Sequence, residues 1–214
     1  MIGAVASSAV AAAVGVSHVG ASYSAFTGSA GTKSCALPAG SAVGDLVVFH
    51  SAGNIPEPAL DGTGWTVVNT GSFKIAYKTI DAGLLAAGQV TWTVGTNYEN
   101  GYAALDVVRG VGSVETTSVS VVGSWSEIYT PASGAAITNG MYLALAGGTA
   151  NHTWNPSDAP WTNRQLVLSD GGYRMVASAT LPATVADAVC HWQFVAVSGS
   201  TSYSVYSTIL RLLP

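Results

Sequence analysis

Charge is what this sequence has least of. Asp, Glu, Lys and Arg make up 8% of the 214 residues, against roughly 25% in an average soluble domain. Seven Lys plus Arg set against eleven Asp plus Glu give a formal net charge of −4. The clustered cations that a phosphate backbone requires are missing, which argues against a nucleic-acid partner. Cysteine is almost as scarce: Cys35 and Cys190 stand far apart, and two thiols make no disulfide framework. Long apolar runs are missing too. The nearest is Ile2 to Val16 (IGAVASSAVAAAVGV), which has no basic stretch before it, is interrupted by Ser7 and Ser8, and is too short to span a bilayer. It reads as an N-terminal arm or first strand, residues 1–22, that packs on the body or on a neighbour, and no membrane partner is expected.

The residue sets that carry chemistry are also thin. Glycoside hydrolysis needs two carboxylates at a controlled separation, but the acids are scattered, and Asp45, Asp61, Asp81, Asp170 and Asp187 sit in turn-like surroundings where Asp caps backbone amides. Asp106 is the exception. It interrupts an apolar strand, and the sequence predicts that it pairs with Arg109 or sits at a subunit contact. His18, His50, His152 and His191 lack the spacing of metal ligands. No Gly-x-Ser-x-Gly elbow occurs, and Gly110-Val111-Gly112 lacks the Lys and following helix of a phosphate loop. The expectation is therefore a non-enzyme with no catalytic residue, no metal and no cofactor.

What the chain does have is apolar content, 49%, with a mean hydropathy of +0.39, enough to bury a sizeable core. Ser, Thr, Asn and Gly take the place of charge on the solvated face. The apolar residues alternate. Phe73, Ile75 and Tyr77 share one face of a strand, with Lys74 and Lys78 on the other, and Val90, Trp92 and Val94 alternate with Thr91 and Thr93. In 189–197, Cys190, Trp192, Phe194 and Ala196 share one parity, which makes Cys190 a small core residue. Further β-rich runs are 46–50, 65–68, 102–108, 114–122, 141–146, 166–168, 173–179 and 205–213. Turn signals such as Asp61-Gly62, Asn100-Gly101 and Asn139-Gly140 separate them. Asp81 to Ala87 is the one helical turn, kept short by Gly83 and Gly88. The pattern predicts an all-β fold, a jelly-roll β-sandwich occupying 23–214 as one domain.

The two halves of the chain answer each other. Gly44-Asp45-Leu46-Val47-Val48-Phe49, Trp65-Thr66, Phe73-Lys74-Ile75, Val90-Thr91-Trp92 and Tyr102 to Arg109 are followed in the same order by five counterparts. These are Asn139-Gly140-Met141-Tyr142-Leu143-Ala144-Leu145, Trp161-Thr162, Tyr173-Arg174-Met175, Cys190-His191-Trp192 and Tyr203 to Arg211. The expectation is two pseudo-repeated Greek-key halves, about 23–113 and 114–214, closing into one jelly roll.

The same residues carry a resemblance. Gly44-Asp45-Leu46, Gly64-Trp65-Thr66, Tyr77-Lys78, Val90-Thr91-Trp92-Thr93 and Ala103 to Val111 with Arg109-Gly110-Val111 resemble the GDLL, GWT, YxR, TW and AYRGV strands of a jelly-roll domain found in tailed-phage tail-fibre and head-decoration (capsid fibre) proteins. The resemblance covers about 38–112. Lys78 stands where the family often has Val or Arg, and Leu105-Asp106-Val107-Val108 replaces the usual aromatic before Arg109. It implies a virion surface component: a structural subunit of capsid or tail, self-associating, contacting other virion proteins, with no catalytic residues to transfer.

Six tryptophans remain. Trp65, Trp92, Trp161 and Trp192 fall in strands and read as core. Trp125 and Trp154 lie in polar, loop-like surroundings. With Tyr129 and His152 they are the candidates for contact with a host-surface glycan or a protein partner, since aromatics stack on sugars and anchor interfaces. A carbohydrate-binding, receptor-recognition module is thus the alternative function.

Overall fold

The computed structural model describes residues 15–26, 30–52, 59–69, 73–94, 101–122, 127–148, 152–156, 161–168, 175–196 and 205–214. They form four antiparallel sheets. Sheet I has the order β1 (Ser17–Phe26), β8 (Gly101–Arg109), β3 (Leu46–Ala52), β6 (Phe73–Thr79), β5 (Thr66–Asn69), and sheet II the order β2 (Gly31–Ala36), β7 (Gln89–Val94), β4 (Ala59–Leu60). Sheet III runs β10 (Ser120–Val122), β17 (Val205–Leu213), β12 (Met141–Gly148), β15 (Met175–Pro182), β14 (Thr162–Leu168), with β9 (Ser113–Thr116) also against β17. Sheet IV runs β11 (Glu127–Tyr129), β16 (His191–Ala196), β13 (His152–Pro156).

Alternation along the strands fixes how these sheets stack. In β3, Val47 and Phe49 join Val90, Trp92 and Val94 of β7 in one apolar cluster between sheets I and II. Leu46 and Val48, of opposite parity, join Leu143, Leu145, Val176 and Leu210 between sheets I and III. The far face of sheet III places Tyr142, Ala144 and Ile209 with Cys190, just before β16, and Trp192 of sheet IV. The class is an all-β sandwich, as the pattern predicts, and its layers run II–I–III–IV. Sheets I and III are covered on both faces, so β3 and β12 are buried at every position and read as near-continuous apolar runs. The outer strand β7 keeps the clean alternation of a strand with one wet face.

Two residues differ from the sequence reading. Lys74 is buried rather than solvated, because β6 belongs to an inner sheet and its second face also packs. Trp65 is half-buried rather than core, with Lys78 Nζ 5.9 Å from its ring centroid. Trp92, Trp161 and Trp192 are buried as expected, and so are Cys35 and Cys190, neither of them in a disulfide.

The central interface is close enough to dictate a residue type. A Cβ added to Gly147 of β12 would lie 2.5 Å from the ring of Phe73 on β6, so only glycine lets these two sheets approach at that point. Residues 17–22, the end of the predicted arm, form the first part of β1. Val16 N–H donates to Asn139 O at 2.9 Å, tying the chain before β1 to the second half. Residues 1–14 lie outside the described residues.

The helix α1 (Ala82–Ala87) matches the predicted turn for local reasons. Asp81 accepts from Leu84 N–H at 2.7 Å as N-cap. Gly88, at φ 65°, closes the other end through bonds to Leu84 O and Leu85 O. No helix among the described residues is long and apolar enough to cross a membrane.

Candidate functional site

The densest group of chemistry-bearing side chains lies inside the protein, around Asp106. This residue sits in the middle of β8, with β1 and β3 on either side. Its carboxylate is inaccessible and accepts three hydrogen bonds: His18 Nε2 on Oδ1 at 3.0 Å, Ser178 Oγ on Oδ1 at 3.1 Å, and His50 Nε2 on Oδ2 at 3.1 Å. An ionised carboxylate only accepts, so both imidazoles carry a proton on Nε2. Burial acts to raise the Asp106 pKa. The hydrogen bonds from His18 and His50 and their electrostatic attraction outweigh it and hold the carboxyl at about 2.

A backbone irregularity aims His18 at this site. The β1–β8 register shifts between His18 and Gly20, so that Ala21 lies opposite Asp106, Gly20 opposite Val107 and His18 opposite Val108. The one-residue bulge reverses the parity of β1, and His18 falls on the Asp106 face. His50 reaches the same carboxylate from β3, where Val48 is the direct partner of Asp106. Ser178 comes from β15 of sheet III, across the central interface.

Serine, histidine and aspartate meet here without forming a nucleophilic triad. In such a triad the hydroxyl bonds to an imidazole whose other nitrogen is held by the acid. Here the hydroxyl and both imidazoles converge on one carboxylate, and His50 Nδ1 is buried without a hydrogen-bond partner among the described residues. The arrangement can pin three strands of sheet I to sheet III; it presents no activated oxygen. No group of three or more His, Cys, Asp or Glu among the described residues is disposed to hold a metal ion.

Arg109 does not pair with Asp106, contrary to the sequence-based prediction. Its Nε and Nη2 each donate at 2.8 Å to the buried Asp45 carboxylate, and Nη2 also reaches Gly40 O at 2.9 Å. Asp45 takes a further bond from Ala42 N–H at 2.8 Å, which fixes the turn leading into β3. Arg211, the counterpart of Arg109 in the second half, donates to Glu115 and, at 3.0 Å, to Ala135 O in the segment before β12.

Of the aromatic candidates, Tyr129 is half exposed at the end of β11. Its ring stacks on that of its cross-strand partner His191, with centroids 4.3 Å apart and planes 6° from parallel. Trp154 and His152 belong to β13, where Trp154 pairs with Phe194 and His152 with Ala196. Along β16, Phe194 and His191 are positions of opposite parity. The side chains of Trp154 and His152, and Trp125 altogether, lie outside the described residues. Nothing in the local spacing of His18, His50 and Asp106 signals their meeting. The only hint in the sequence is the acid within the apolar run 102–108.

The fold and these clusters define a class, an antiparallel all-β sandwich protein with a buried polar hub and a partly exposed Tyr129–His191 stack. No protein-family profile, no curated protein and no solved structure matches the chain.

Proposed function

We propose that this protein is a structural component of a tailed-bacteriophage virion, a capsid decoration or head-fibre subunit or a tail-fibre subunit, that works by binding other virion proteins and copies of itself rather than by catalysis. The strand order carries the reading. In the first half β1 pairs with β8, β2 with β7 and β3 with β6; in the second, β10 pairs with β17, β11 with β16 and β12 with β15. Nested pairing of this kind is what a rolled hairpin would give, and it supports a jelly-roll arrangement. On this reading two pseudo-repeated Greek-key halves, about 23–113 and 114–214, close into one jelly roll. The resemblance of residues 38–112 to phage jelly-roll domains and the 8% charge, suited to surfaces covered in an assembly, support the same view. Antibody against the chain tests it on purified phage particles. Labelling at a repeated position on head or tail is expected, and particles devoid of the chain would refute it.

One observation favours a second reading, a module that binds host-surface carbohydrate. Tyr129, half exposed and stacked on His191, offers a flat aromatic surface on an outer sheet. A glycan array probed with the protein and with Tyr129→Ala decides it: shared hits weakened by the substitution support a sugar platform there.

A further inference from the structure

A cleft at the junction of the two halves is a better-built candidate for a small ligand than any exposed aromatic. It has a volume of about 380 Å³, within the lower part of the ~300–1,000 Å³ range of small-molecule sites. One wall is sheet I, where Leu46 pairs with Thr79 and Thr66 with Tyr77. The other is the segment 111–114, which joins the halves and enters β9. Leu46, Val111 and Val114 belong to the central apolar core or pack against it and supply an apolar floor. Thr66, Thr79 and Ser113 bring exposed hydroxyls to the rim, and the half-buried Tyr77 brings a ring with a phenolic hydroxyl.

The charge balance narrows the ligand. Lys78 is the one cation among the residues lining the cleft, and it is already committed: Nζ donates to Thr63 O and to Asp81 Oδ2, each at 3.1 Å. A phosphate or carboxylate would find no unpaired positive charge. Hydroxyls both donate and accept, and an aromatic ring above an apolar floor takes up C–H surface, which together suit a neutral, hydroxyl-rich ring.

We infer that this cleft binds a neutral saccharide, with Tyr77 as the stacking surface and Thr66, Thr79 and Ser113 as hydrogen-bonding groups. The inference rests on the carbohydrate reading but moves the site from sheet IV to the junction of the halves. The test is saturation-transfer NMR and calorimetry on the full chain with lactose, maltotriose, cellotriose and chitotriose. Binding of at least one is expected, weakened roughly tenfold or more by Tyr77→Leu and by Thr66→Val with Ser113→Ala, and unchanged by Tyr129→Ala. The Thr66 and Ser113 changes are on exposed side chains, so an unaltered melting temperature identifies a binding loss as a loss of contacts. Binding that survives the cleft substitutions and disappears in Tyr129→Ala overturns the inference and leaves the carbohydrate reading standing. No binding by any of the four overturns the inference, and the glycan array decides the carbohydrate reading separately.

Discussion

Ser178 Oγ donates a 3.1 Å hydrogen bond to Asp106 Oδ1, linking residues 72 apart in sequence and on opposite sides of the interface between sheets I and III. The carboxylate that receives it also holds His18 and His50, so one buried charge ties β1, β3 and β8 to β15.

Removal of that charge is predicted to be among the most damaging single changes in the protein. Asp106→Ala leaves two imidazole N–H groups and a hydroxyl without their acceptor in a dry interior, at a cost of about 3–5 kcal/mol. Ser178→Ala, which leaves the carboxylate two donors, costs about 1 kcal/mol. Denaturant unfolding of both variants checks the order. Equal losses would show that the carboxylate is not the hub.

The acid side of the stability profile follows from the same group. The Asp106 pKa is about 2 in the folded protein, below its ordinary value of 3.8, so the unfolded chain takes up a proton first as pH falls. The stabilisation is complete above pH ~4 and is lost between pH ~4 and ~2, amounting to about 2 kcal/mol. The stability difference between wild type and Asp106→Asn, followed by urea unfolding from pH 6 to 2, is expected to shrink in that window. A difference that stays constant contradicts the assignment.

Gly147→Ala tests the central interface directly. The added methyl would meet the Phe73 ring, and overpacking of this kind costs about 1–3 kcal/mol. Phe73→Leu in the same chain makes room, so the double variant is expected to be more stable than the sum of the two single changes predicts. Additivity would mean that the two sheets separate freely at this point.

The inner strands were the legible part of this fold. β3, β6, β8, β12 and β17 are apolar enough to announce themselves, and β7 shows strict alternation. Missing from the sequence-based strands are β2, β4, β11 and β13, three of them five residues or shorter and the other small and polar in composition, while only 17–22 of β1 fall in the segment read as an arm or first strand. Their pairing comes from neighbours brought in by the tertiary fold rather than from their own pattern. The Asp106 hub was hidden for a related reason. His18 and His50 are 88 and 56 residues away from it, and His18 reaches the right face only through a bulge that no periodicity encodes. Lys74 shows the converse: alternation places it on the face opposite Phe73 and Ile75, and its burial depends on a second packed face that a single strand does not reveal.

Both thiols are predicted to be silent in the native state. Cys35 and Cys190 are buried and unbridged, and burial raises the Cys35 pKa, which keeps its sulfur protonated. A disulfide-exchange chromophore is expected to titrate no thiol rapidly in the folded protein and two after denaturation. Two oxidised sulfurs on unfolding would contradict the unbridged assignment.

Under the proposed function, the protein works by assembling with other chains. The most direct measurement is cross-linking with light scattering on the native protein, followed by low-resolution imaging of whatever complex survives. A defined oligomer, or copies at symmetric positions on a larger particle, is expected. A monodisperse monomer that cross-links to nothing would contradict it.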